Sequence, residues 1–178
     1  MSTPVDRIHS ESIEIIRSLK DAGEISLALS AEDSLRKALL LAAASYFEYK
    51  LTNDVFAFVE SVTNRDSLVG SLVKSKAISR QYHTWFDWDK SNANKFFGLF
   101  GEEFKTHMNG KISISSDLMD GIKSFLLIGS ERNRLAHGDF ASFSMSLTAQ
   151  DIYMHYSAAL KFVDCIGENL DECSKLLA

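Results

Sequence analysis

The side chains best suited to chemistry gather in one short stretch, Gly129-Ser-Glu-Arg132-Asn133-Arg134-Leu135-Ala136-His137-Gly138-Asp139, where an apolar helical segment abruptly presents two arginines, an amide and an imidazole. Helices that only pack do not usually end this way. Imidazoles titrate near ~6.5, so a histidine such as His137 can take or give a proton around neutral pH. Arg132 offers a planar, permanently charged fork for a phosphate whose negative charge grows in a transition state. Asn133 can hold the reacting group or fix a histidine tautomer, and Arg134 is a second candidate phosphate contact. At about 100° per residue, Asn133 and His137 are i,i+4 neighbours on one face, whereas Arg132 and His137 fall about 140° apart on an unbroken helix. A site that uses both therefore calls for the helix end, a second chain, or both. The blander reading is cationic capping of a helix C-terminus, which does not require an Arg-Asn pair as well.

The elements that must position these groups read as helices throughout. The one proline is Pro4, and apolar residues recur at three- and four-residue spacing. A first helix from Val5 to Asp21 sets Ile8, Ser12, Ile15, Ile16 and Leu19 on one face and stops at Gly23. Ser30-Ala-Glu-Asp33 is an N-cap pattern, predicting a long central helix from Asp33 to about Val62 with Leu35, Leu39, Ala42, Ala43, Tyr46, Phe47, Val55, Phe58 and Val59 in its stripe. Glu48 lies on that helix. Residues 64–111 turn basic and aromatic, with shorter helices predicted over Arg65 to Lys76, Ile78 to Trp88 and Asn92 to His107, closed by a turn at Asn109-Gly110-Lys111. Ser115 or Ser116 caps the helix that carries the motif, with Leu118, Ile122, Phe125 and Leu126 facing inward and Gly138 as its terminator. Thr148-Ala-Gln-Asp151 opens a last helix that buries Ile152, Tyr156, Ala159, Leu160, Val163, Ile166 and Leu170. The sum is one all-α domain over residues 1–178, with an N-terminal helical extension (1–29) and a central helical insertion (64–111).

The stretch Arg132-Asn133-x-x-x-His137 resembles the R-x4-6-H motif of the HEPN superfamily, with a polar residue directly after the arginine. Upstream, Ala42-Ala-Ala-Ser-Tyr-Phe-Glu48 is similar to the segment that carries an acidic residue facing the motif in the RiboL-PSP-HEPN branch and its relatives. The resemblance implies a HEPN-like helical bundle and RNA cleavage without metal: the ribose 2′-hydroxyl attacks the adjacent phosphate and leaves a 2′,3′-cyclic phosphate and a 5′-hydroxyl. It also implies a homodimer in which two motifs share one cleft, which would supply a second histidine for the acid and base roles; a two-fold interface does this automatically. Glu48 would then orient Arg132 or His137. Asp139 stands two residues after His137 in place of an aromatic, so the chain does not resemble the R-x4-H-x-Y toxins paired with nucleotidyltransferase antitoxins.

Bulk composition narrows the rest. With 178 residues, 46% of them hydrophobic, the chain can bury a substantial core. A net charge of -5 argues against a protein that coats duplex nucleic acid, so contact with RNA must be local. Local candidates are Lys76, Arg80 and Lys90, which flank His83, Trp85, Phe86 and Trp88; the aromatics read either as a base-stacking surface or, the favoured reading, as a hydrophobic subcore with a solvated basic rim. Cys165 and Cys173 are eight apart on one expected helix and read as reduced thiols. No long apolar run predicts a membrane span, and the N-terminus lacks a signal-peptide core, so a cytoplasmic location is expected. No ligand-spaced His, Cys, Asp and Glu set appears, and the expectation is neither metal nor cofactor. The functional expectation is a ribonuclease of the defence or toxin type, with a regulatory partner protein possible. The alternative is a non-catalytic HEPN module that binds RNA, a nucleotide or a protein.

Overall fold

The N-terminal turn shows how side chains set the helix boundaries. Thr3 caps helix α1 (Pro4–Asp21): its side chain accepts from the Asp6 N–H while the Asp6 carboxylate accepts from the Thr3 N–H, and Pro4 sits at the first position, where no N–H is needed. The chain is described here by a computed structural model covering residues 2–63 and 67–177. α1 docks through buried Val5. It is tied to the last helix, α8 (Ala149–Leu177), where the Tyr153 hydroxyl donates to Asp6 (3.1 Å) and the Tyr156 hydroxyl to Thr3 Oγ1 (2.9 Å).

Helix α2 (Ile25–Thr63) starts five residues before the expected cap at Ser30, which lies inside it. Gly23, at φ 77, ends α1 in the left-handed region, and the Glu24 carbonyl already accepts the N–H of Ala28, so the turn is complete before Ser30 is reached. Asp33 is engaged by Arg36 (2.8 Å) and Lys37 (2.7 Å) rather than by backbone donors. Ala28, Leu39, Leu40, Ala43, Phe47 and Leu51 are buried. α2 packs against α1, α8 and α7 (Ser116–His137), and α7 against α8. The motif helix begins as the sequence predicts, with the Ser115 hydroxyl accepting from the Leu118 N–H (3.2 Å). So does α8, where Thr148 and Asp151 cap one another reciprocally.

The basic, aromatic segment is less helical than its spacing predicts. It holds α3 (Leu68–Val73), a π-helical turn (Lys74–Ile78), α4 (Tyr82–Trp85), α5 (Asn94–Gly98) and α6 (Glu102–Ser113). The expected helix start at Arg65 lies outside the described residues. In place of one helix from Ile78 to Trp88 there are four helical residues, because Ser79 is extended and Arg80 takes φ 61. Gly101, at φ 97, splits the expected helix from Asn92 to His107. The expected turn at Asn109-Gly110-Lys111 is instead helical, inside α6. Trp85, Phe86, Phe96 and Phe97 are buried and join Phe125 and Phe162 in one aromatic core, which makes most of this segment a subcore. His9, His107 and His155 each have a partner: His9 stacks on Tyr153 (3.9 Å), His107 meets Asn169 (3.0 Å) and His155 meets Ser124 (3.1 Å). Cys165 and Cys173 are both free. Among the described residues no helix is long and apolar enough to cross a membrane.

Candidate functional site

The site forms where the last two turns of α7 meet α2 and the loop around α4. Leu135 is buried at 2% exposure and Glu131 at 7%, so the helix has a fixed rotation, which leaves Arg132, Asn133 and His137 outside the core. The Glu131 carboxylate accepts from Arg134 (2.6 Å), which engages that guanidinium locally. Gly129 allows Trp88 to rest on the helix: a Cβ there would lie 2.0 Å from the Trp88 ring. Beyond His137 the Gly138 N–H bonds back to the Arg134 carbonyl (3.0 Å). The chain is then held by Lys37, whose buried ammonium donates to the Phe140 carbonyl (2.9 Å).

A cleft of about 560 Å³ opens at this junction. Ala44 and Glu48 of α2 form one side, Arg132, Asn133 and His137 of α7 another, and Arg80, Tyr82, His83 and Trp88 the third. α7 runs unbroken to His137, so no helix break is needed for Arg132 and His137 to border one space. The long arginine side chain and the width of the cleft accommodate the angle between them.

Arg132 Nη2 lies 3.9 Å from Glu48 Oε2, and Nη1 donates to Asn133 Oδ1 (3.2 Å). Both members of the ion pair are about half exposed, at 40% and 45%, so it contributes little to stability. It does aim the guanidinium across the cleft while leaving further N–H groups for an anion. The half-buried Tyr82 phenol is held well above its ordinary 10.0 by burial and by the Glu48 carboxylate, against the opposing pull of Arg132. It therefore remains a neutral hydrogen-bond donor across the physiological range.

A second cleft of about 490 Å³ adjoins the first, and Trp88, Asn133 and His137 line both. Arg134 and Lys95 border this second space beside Asp87 and Asp89. Of the sequence candidates, Glu48, Arg80, Arg132, Asn133 and His137 thus share one cleft, and Arg134 borders its neighbour. Lys76 lines a separate apolar cleft with Phe58, Trp85 and Phe100. Lys90 is exposed and lines neither motif cleft. Tyr82 was not a candidate in the sequence. Its approach to Glu48 and Arg132 depends on contacts remote in the chain, which local patterning does not signal.

The donor set in the cleft suits acid-base work on an anion: imidazoles, guanidinium groups, one carboxylate, one amide and one phenol. Among the described residues no three His, Cys, Asp or Glu side chains gather as metal ligands. A family model described as RiboL-PSP-HEPN matches residues 6–172 of the chain. No curated protein and no solved structure matches it.

Proposed function

The chain belongs to the RiboL-PSP-HEPN family, and on that premise we propose that it is a metal-independent endoribonuclease, cytoplasmic and of the defence or toxin type, that cleaves RNA by 2′-hydroxyl transesterification. One observation carries the reading: Arg132, Asn133, His137 and Glu48, from two different helices, border a single cleft of about 560 Å³. That volume is in the range used by small-ligand sites and suits a nucleotide. In this reading His137 transfers a proton at the reacting oxygen, and Arg132 binds the phosphate oxygens as their charge grows. Asn133 positions the scissile group through its amide, and Glu48 holds the arginine fork in place. Arg80 and Arg134 contact neighbouring phosphates, with Lys76 and Lys90 as outer contacts on a longer RNA. Two chains pair about a two-fold axis so that both motifs face one RNA path.

The test is incubation of the purified protein with mixed RNA in EDTA. The expected products end in 2′,3′-cyclic phosphate and begin with 5′-hydroxyl. Tight RNA binding without any cyclic-phosphate product would replace the nuclease with a binding module.

Glu48 offers a separate check. Glu48→Gln removes the charge but keeps the shape, and because the pair with Arg132 is half exposed, unfolding free energy should stay within about 0.5 kcal/mol of wild type. Cleavage should fall by about ten- to a hundred-fold through the loosened arginine. Equal activity in the two proteins would remove Glu48 from the site.

A further inference from the structure

Transesterification moves two protons, one off the attacking 2′-hydroxyl and one onto the departing 5′-oxygen, and two groups in opposite protonation states divide that work best. The Arg-Asn-x-x-x-His motif supplies one imidazole per chain. The same cleft holds another. His83, on α4, lines it together with His137, and among the described residues its ring has no hydrogen-bond or ion-pair partner. Its backbone, in contrast, is fixed: the Trp88 indole N–H donates to the His83 carbonyl (3.0 Å), and the Trp88 ring lies against Gly129 of the motif helix. One aromatic side chain thereby couples the position of His83 to that of the motif.

The backbone leading into α4 points the same way. Arg80 takes φ 61, a left-handed conformation that costs a non-glycine residue free energy and that is found enriched at functional sites. This turn brings Arg80, Tyr82 and His83 into one cleft with the motif. The charged and titratable groups bordering the cleft are Glu48 from α2, Arg80 and Tyr82 beside His83 itself, and Arg132 and His137 from α7.

We propose that His83 is a further proton-transfer group of the reaction, working with the motif histidine, His137, across this cleft. One imidazole takes the 2′-hydroxyl proton as the 2′-oxygen bonds to phosphorus. The other, as imidazolium, gives its proton to the 5′-oxygen as the phosphorus–5′-oxygen bond breaks. The products are a 2′,3′-cyclic phosphate and a 5′-hydroxyl, and no oxidant or co-reactant is required. This inference rests on the ribonuclease reading above and adds His83 to the paired motifs that reading brings to one RNA path.

The experiment measures cleavage against pH for wild type, His83→Ala, His83→Gln and His137→Ala on a dinucleotide with one scissile bond, and on uridine 3′-(4-nitrophenyl phosphate), whose leaving group needs no acid. Wild type should give a bell-shaped profile. Each His83 variant should lose about 10²- to 10³-fold on the dinucleotide and one limb of the bell, with His137→Ala losing the other. The activated ester should rescue the variant of one histidine and not of the other, which names the acid; a residue that only stacks or supports the fold would not produce that split. Because His83 is exposed, its variants should unfold at the wild-type temperature. If His83→Ala or His83→Gln stays within twofold of wild type and keeps both limbs, the inference is overturned while the ribonuclease reading stands. If wild type cleaves neither substrate nor mixed RNA, both are overturned.

Discussion

Replacing His137 with alanine is expected to lower RNA cleavage by about 10²- to 10⁴-fold, the range lost with a positioned proton-transfer group. His137 is exposed at the last turn of α7 and its ring has no protein partner among the described residues, so the fold should not register the change beyond about 0.5 kcal/mol. Arg132→Ala should fall into the same range of activity, and Arg132→Lys should not restore it. A lysine is a point charge without the planar fork that can meet two phosphate oxygens while donating to Asn133, as Arg132 does at 3.2 Å. The competing account, that these cations merely cap a helix, makes the reverse forecast. Under it, the variants would lose some stability at the helix end and keep wild-type turnover. Rates on mixed RNA in EDTA, set beside thermal unfolding of the same samples, separate the two, and stable, fully active His137→Ala would take His137 out of the chemistry.

The parts of this molecule that local chemistry specifies are legible in the sequence. Ser115 and the Thr148–Asp151 pair cap α7 and α8 where their residue types say they should. The inward stripe of α8, from Ile152 through Leu170, follows helical spacing because that face alone is covered. The start of α2 departs from the pattern because Ser30-Ala-Glu-Asp33 has the form of a cap, yet Asp33 is occupied by Arg36 and Lys37 and the helix has already begun at Ile25. The α4 region failed for another reason. Trp85 donates to Ala77 and Trp88 to His83, both at 3.0 Å, so the loop is held by side chains bonding to backbone, and periodicity carries no trace of that. The site divides the same way. Arg132, Asn133, His137 and Glu48 lie on regular helices with a recognisable motif, whereas Tyr82 and His83 follow the left-handed turn at Arg80 in a short irregular segment whose Trp88 rests on Gly129 of a remote helix.

That contact makes Gly129→Ala the most damaging single-methyl change expected near the site. The added Cβ would stand 2.0 and 2.3 Å from two atoms of the Trp88 ring, well inside van der Waals contact, so something must move. The ring has little room to yield. It packs on Phe86 (5.2 Å between centroids), Tyr82 (5.8 Å) and Phe125 (5.8 Å), and its N–H is committed to His83. Overpacking of this kind costs about 1–3 kcal/mol, and a domain of this size loses about 2–4 °C of melting temperature per kcal/mol. Gly110→Ala is the counterpart with opposite sign. Gly110 lies inside α6 with nothing within 4 Å of its missing Cβ, so alanine there should stabilise by about 0.5–1 kcal/mol through helix propensity alone. The informative variant is the double, Gly129→Ala with Trp88→Leu. The smaller side chain makes room for the methyl, so the double variant should lose less stability than the two single losses would sum to. Cleavage should not recover with it, since Trp88 lines both clefts and anchors the backbone of His83. Were activity to return together with the melting temperature, Trp88 would be a packing residue only, and the wall formed by Arg80, Tyr82 and His83 would owe nothing to its contact with the motif helix.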